Sequence, residues 1–106
     1  MIPNPNIYKP FKQNIPMGMG LIKVKIMPDA PDADLDAIQT KAEKIIKQGE
    51  GGNIRSEREP IAFGLTAIIT FFSRDETLET DNLLDELRAI ENVSSAEVID
   101  FRRALG

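Results

Sequence analysis

The chain has 106 residues, of which 42% are apolar and 28% charged, and this is enough for one folded domain with one hydrophobic core. Cysteine and histidine are both absent, which excludes disulfide bonds, thiolate metal sites, cysteine nucleophiles and a Ser-His-Asp hydrolase. The formal net charge is −4, and residues 17–106 carry 11 basic against 17 acidic side chains, so we expect a partner with a basic face and no direct nucleic-acid partner.

The first sixteen residues differ from the rest of the chain. They hold four of the seven prolines and show no hydrophobic periodicity. We therefore predict a disordered leader over 1–16, either a vector-derived tag or a misannotated extension, and a folded domain over 17–106. The alternative is a native arm that docks on a partner through Tyr8 and Phe11.

The first half of the domain predicts a strand followed by a helix. Within residues 21–27 the side chains alternate from Ile22 onward, with apolar residues on one face and two lysines on the other, which is typical of a half-buried strand. Asp32 or Asp34 can cap the helix that follows and ends near Lys47. Its buried stripe is formed by Leu35, Ile38, Ala42, Ile45 and Ile46. The glycine-rich turn at 49–52 ends this helix and lacks the Gly-Lys-Ser/Thr of a phosphate loop.

Two strands of opposite character follow. Residues 53–59 alternate weakly and are mostly charged, which predicts an edge strand. Residues 65–72 are apolar on both faces, which predicts a central strand covered at least partly on both sides. Because Phe71 and Phe72 point to opposite faces, at least one of them belongs to the core.

The connection between these strands is unusual. Pro60 cannot donate a backbone hydrogen bond and Gly64 tolerates a positive φ, so the two residues bracket a break in the ladder. Between them Ile61, Ala62 and Phe63 are apolar where a turn is normally polar. Phe63 is either a lid over the core or an exposed anchor for a partner. The residues alone favour the lid, because isolated exposed aromatic side chains are the less common case.

The last part of the chain predicts a second helix and a final strand. Thr80 or Asp81 caps the helix, whose buried stripe is formed by Leu83, Leu84, Leu87 and Ile90. A strand over 95–102 follows. Its alternation places one set of side chains on one face and the other set opposite: Ala96, Val98 and Asp100 against Glu97, Ile99 and Phe101.

The predicted order is β-α-β-β-α-β. This order gives an α+β ferredoxin-like split βαβ plait, with a four-stranded antiparallel sheet and both helices on one face. The other face is left open to solvent or to a partner. Function does not follow from this fold, which supports many activities.

The chain resembles the archaeal elongation factor 1-beta family over about residues 19–106. The resemblance is carried by the order of elements, by the stretch Glu-Pro-Ile-Ala-Phe-Gly-Leu at 59–65, and by residues 90–98 followed by Asp100 and the Arg-Arg-Ala of 102–104. That family is similar to the guanine-nucleotide exchange domain of eukaryotic elongation factor 1-beta. The implied function is exchange of GDP for GTP on the GTPase elongation factor 1-alpha, without covalent catalysis, cofactor or metal site.

The resemblance also implies which residues contact the GTPase. In eukaryotic members the tip with the Pro-x-aromatic-Gly motif and the C-terminal end both touch it. The implied partner-binding residues here are Pro60, Ile61, Phe63, Gly64, Asp100, Arg102 and Arg103. One departure concerns the tail, because the eukaryotic Lys that disturbs the magnesium site has no counterpart after Asp100. Arg102 and Arg103 are the cations available for a related role, or they simply end an edge strand in water.

Other functions occur on this topology, and the residues of this chain disfavour them. A small-molecule-binding regulatory module is the alternative, but it favours a Gly-rich turn after the first strand, where this chain has 27–31, Met-Pro-Asp-Ala-Pro. An RNA-binding sheet needs more aromatic and basic side chains, and an acylphosphatase needs an Arg in the same turn. No apolar run approaches the ~20 residues that span a bilayer. We therefore expect a cytoplasmic protein with no membrane partner, and a monomer.

Overall fold

Six elements follow one another in the predicted order. The computed structural model describes residues 18–103, so the predictions for the leader lie outside the described residues. The elements are β1 (Met19–Pro28), α1 (Leu35–Gln48), β2 (Gly52–Pro60), β3 (Thr66–Asp75), α2 (Asp81–Arg88) and β4 (Val93–Arg103). Each strand extends beyond its predicted bounds by one or more residues, except at the start of β3.

The four strands form one antiparallel sheet in the order β2-β3-β1-β4. The fold prediction is therefore confirmed, including the edge position of β2 and the central position of β3. Both helices cover the same face, which we call the helix face, and the opposite side is the open face. One cluster of buried side chains lies between the helix face and the helices: Ile22, Val24, Ile26, Ile38, Ala42, Ile46, Ile68, Phe72, Leu83, Leu84, Leu87, Ile90 and Ala96.

The helix ends follow from local chemistry. Asp34 caps α1, where its carboxylate accepts a hydrogen bond from the Ala37 N–H at 3.1 Å. Thr80 precedes α2 without a side-chain cap, and Asp81 in the first turn supplies the negative charge that a helix N-terminus favours. After α1 the chain passes so close to the helix that a Cβ at Gly51 would lie 2.3 Å from Ile46 Cγ2. Neither helix of residues 18–103 is long and apolar enough to span a membrane.

The final strand departs from the predicted alternation. Val98 pairs with Val24 and Asp100 pairs with Lys23, so Ile99 is an extra residue that forms a β-bulge. The bulge reverses the faces after it: Asp100 lies on the open face with Lys23, while Phe101 lies on the helix face. There the Phe101 ring covers Gly20, where a Cβ would be 2.5 Å from Phe101 Cε1. The prediction that Asp100 shares a face with Ala96 and Val98 is wrong, because a bulge adds a residue without a partner.

The register also fixes two ends of the sheet. At one end Pro28 pairs with Val93 and Pro60 pairs with Thr66. At the other end Gly20 pairs with Arg103. At about 3.4 Å per residue, the levels of Pro28 and Gly20 along β1 are roughly 27 Å apart. We call them the tip end and the tail end.

The core makes a direct prediction about stability. Ile46→Ala should lower the free energy of unfolding by about 3 kcal/mol, because Ile46 is fully buried between α1 and the sheet. Ile99→Ala removes the same atoms from an exposed bulge and should cost about 1 kcal/mol or less. Urea unfolding followed by circular dichroism measures both changes. Equal losses in the two variants would contradict this placement of the core.

Candidate partner-binding site

The loop between β2 and β3 forms a tight, self-bonded tip. Residues 61–65 connect the last pair of the ladder, Pro60 with Thr66. The Ile61 N–H donates to the Leu65 carbonyl at 2.7 Å, and the Leu65 N–H donates to the Ala62 carbonyl at 3.3 Å. These two hydrogen bonds close the loop on itself, so its conformation does not depend on a partner.

Phe63 lies at the outermost point of this tip. Its side chain is 92% exposed, so the interpretation as a lid over the core is wrong. The physical reason is the backbone: Phe63 has φ 64° and ψ 27°, and Gly64 follows with φ 76°. Two successive positive φ values turn the chain beyond the end of the ladder and direct the ring into solvent. For a bulky residue this conformation costs about 1–2 kcal/mol.

The tip lies close to the turn between β1 and α1. A Cβ at Gly64 would lie 3.7 Å from Pro31 Cβ, which is ordinary van der Waals contact. The same turn carries Asp29 and Asp32, both exposed. The tip end therefore carries an exposed aromatic ring and two exposed carboxylates, which complement a partner surface with an apolar pocket and basic residues nearby.

The predicted tail residues lie at the other end of the sheet. Arg102 Nε donates to Asp100 Oδ2 at 3.1 Å on the open face. Arg103 points to the opposite side, where its Nε lies 2.8 Å from Glu76 Oε1. Both arginine side chains remain more than two-thirds exposed, so their outer hydrogen-bond donors are accessible.

The turn that supplies Glu76 is itself ordered by hydrogen bonds. The Glu76 N–H donates to the Gly18 carbonyl at 2.9 Å. Thr77 donates from its backbone N–H at 2.9 Å and from its hydroxyl at 2.7 Å to one oxygen of Asp75. These bonds, the backbone one first, lower the pKa of Asp75 below its usual value. The turn thus holds Glu76 in place beside the last described residue of β4.

The predicted site residues form two separate groups. Pro60, Ile61, Phe63 and Gly64 lie together at the tip end, and Asp100, Arg102 and Arg103 lie at the tail end. The two ends are separated by most of the length of β1, roughly 27 Å. A partner that touches both groups must therefore extend along the whole domain.

The residues beside these groups were not predictable from the sequence. Pro31 lies near Gly64, 33 positions away, and Glu76 pairs with Arg103, 27 positions away, so no local pattern indicates either neighbour. Only the predicted strand order could have indicated that the end of β3 and the end of β4 meet beside β1. Within residues 18–103 no group of three or more acidic side chains is arranged to hold a metal ion.

The chain is similar to known proteins over most of its length. The family model described as the EF-1 guanine nucleotide exchange domain matches residues 21–104, which include the tip and the tail. The chain belongs to the elongation factor 1-beta family. Several archaeal members are similar to it. Elongation factor 1-beta of Nanoarchaeum equitans is 38% identical over 82 residues, which cover 76% of this chain and 100% of that protein.

Two further relatives agree with this assignment. Elongation factor 1-beta of Thermococcus onnurineus is 43% identical over 77 residues, covering 71% of this chain and 84% of that protein. The protein of the same name from Saccharolobus islandicus is 39% identical over 85 residues, covering 78% and 92%. The predicted family is therefore confirmed, and with it the role of a guanine-nucleotide exchange factor.

The tip geometry makes a prediction that separates stability from binding. Phe63→Gly should leave the free energy of unfolding unchanged or raise it by up to about 1 kcal/mol, because glycine adopts a positive φ without a steric cost. Urea unfolding measures the change. Phe63→Ala loses almost no buried surface and should change stability by about 0.5 kcal/mol or less. A loss of more than about 2 kcal/mol in either variant would mean that the ring packs against the domain.

Proposed function

We propose that this chain promotes the exchange of GDP for GTP on elongation factor 1-alpha by binding the nucleotide-free form of that GTPase. Membership of the exchange-factor family supports the proposal. The strongest structural support is Phe63, an aromatic side chain held in solvent by a strained backbone. A fold gains nothing from such a ring, whereas an interface gains an anchor.

Exchange of this kind needs binding energy and no covalent step. A factor that binds the nucleotide-free GTPase more tightly than the GDP-bound form weakens GDP by the same factor. If GDP affinity falls by ~4 kcal/mol and the whole change appears in the off-rate, release is about a thousandfold faster. The chain is therefore proposed as a non-enzymatic factor, with no catalytic residue and no cofactor.

The tip supplies the first contact in this proposal. The hydrogen bonds of Ile61 and Leu65 fix the loop before binding, so little conformational entropy is lost when Phe63 enters a pocket. Pro60 ends the strand beneath the loop, and Gly64 allows the second positive φ. Pro60 and Gly64 therefore contribute to binding by fixing the position of the Phe63 ring.

The tail supplies the second contact. Arg102 and Arg103 point to opposite sides of β4, and each is oriented by a carboxylate, Asp100 for the former and Glu76 for the latter. A guanidinium already held by one carboxylate still has free N–H donors for acidic or phosphate groups of the partner. This arrangement stands in place of the Lys that the eukaryotic tail carries.

Release of a fluorescent GDP analogue from the cognate elongation factor 1-alpha tests the proposal. The parent chain should accelerate release strongly at micromolar concentration. Phe63→Ala should reduce the second-order rate of acceleration by about 30-fold or more, because truncating an aromatic anchor costs 2 kcal/mol or more. In the same assay, the double variant Arg102→Ala/Arg103→Ala shows how much the tail contributes to the acceleration of release.

A matched control separates these contacts from a general charge effect. Lys41→Ala/Lys44→Ala removes two exposed cations from α1 and should leave the release rate close to that of the parent. Unchanged acceleration in Phe63→Ala would remove the tip from the mechanism. No acceleration by the folded parent chain would overturn the exchange function itself.

A further inference from the structure

The open face of the sheet carries a row of side chains in which one aromatic ring is flanked by a cation on each neighbouring strand. In register across the sheet, Arg55 of β2 pairs with Phe71 of β3, and Phe71 pairs with Lys23 of β1. Arg55 Cζ lies 4.6 Å and Lys23 Nζ 5.2 Å from the centroid of the Phe71 ring. Both cations therefore lie over one half-buried ring.

Within residues 18–103, neither of these two cations forms an ion pair. In the part of the chain that the structure describes, every ion pair is made by another arginine. Asp100 follows Lys23 in the same row, but its carboxylate accepts from Arg102. The ring offsets only part of the repulsion between two like charges. The row therefore concentrates positive charge on a chain whose net charge is −4.

A groove lies over this row. It has a volume of about 700 Å³ and is lined by Phe71, by the exposed apolar side chain of Leu21, and by three cations and one carboxylate: Lys23, Arg55, Arg102 and Asp100. The volume is in the range of sites that hold a small ligand or a short peptide segment. Its walls offer N–H donors, and its floor offers apolar surface.

We infer that this groove binds an acidic segment of a partner protein, in which carboxylates pair with Lys23 and Arg55 and an apolar side chain packs beside Leu21. Charge complementarity favours carboxylates, since one placed between the two cations relieves their repulsion. A nucleic-acid strand is less favoured because two cations already lie over the Phe71 ring, so a base would have to displace them in order to stack on it.

This inference does not rest on the proposed exchange function. The groove adjoins the tail group, because Asp100 and Arg102 belong to its lining. The two cations tested here, Lys23 and Arg55, are not among the residues proposed to contact the GTPase, and Phe63 lies at the tip end. Binding at the groove can therefore be measured without a GTPase, and its failure would leave the exchange function untouched.

Fluorescence anisotropy tests the inference with the full chain. The probe is a fluorescein-labelled Glu-Glu-Leu-Glu-Glu peptide at about 20 mM salt, where charge pairing is weakly screened. The chain should bind this peptide at least tenfold more tightly than a labelled Gln-Gln-Leu-Gln-Gln peptide. The double variant Lys23→Gln/Arg55→Gln should lose at least tenfold in affinity for the acidic peptide.

The double variant Lys41→Gln/Lys44→Gln is the matched control, because it makes the same change in net charge through exposed side chains of α1. It should bind the acidic peptide as the parent does. Equal losses in both double variants would reduce the effect to net charge and overturn the inference. Tighter binding of a labelled single-stranded oligouridylate, lost in Lys23→Gln/Arg55→Gln, would overturn it in favour of RNA.

Chemical-shift mapping keeps the test independent of the folding of any variant. In the parent chain the backbone amides of Lys23, Arg55 and Phe71 should shift when the acidic peptide is added, while that of Phe63 should stay in place. Shifts spread evenly over the lysines of α1, or no shift in the row at saturating peptide, would contradict a site at the groove.

Discussion

The arrangement of the domain depends on the pairing of β1 with two neighbours at once. Val24 and Ile26 are fully buried, and the strand that carries them is bonded to β3 on one side and to β4 on the other. A shift of one residue would move the apolar side chains of β1 to the open face, so burial fixes the register strongly. The positions of the tip and the tail follow from that register.

The parts of the fold that follow from short-range periodicity were predictable from the sequence. The alternation of residues 21–27, the apolar stripes of both helices and the contrast between β2 and β3 were sufficient for topology and strand position. The bulge at Ile99 was not predictable, because residues 95–102 read as an ordinary strand by themselves. The extra residue is evident only when Val98 and Asp100 are matched to their partners on β1.

For the candidate site, the sequence suggested a set of residues but not their arrangement, and their role in binding stays a prediction. The tip stretch is recognisable by its apolar residues between Pro60 and Gly64, but hydrophobicity favours burial of Phe63, and only its backbone conformation places it in solvent. The separation of the two groups required the strand order. The position of Pro31 near Gly64 and the pairing of Glu76 with Arg103 could be seen only in the complete fold, because these residues are distant in sequence.

Because β1 fixes the separation of the tip and tail ends, that distance changes only in particular steps. Each residue added to the strands lengthens them by about 3.4 Å, but a single residue also exchanges the two faces beyond it. Insertions in pairs, matched across neighbouring strands, preserve the faces and change the distance by about 7 Å. Loop insertions at either end are not limited in this way. Variation in length within this family is therefore expected in its loops, while the strands between the two ends keep their number of residues.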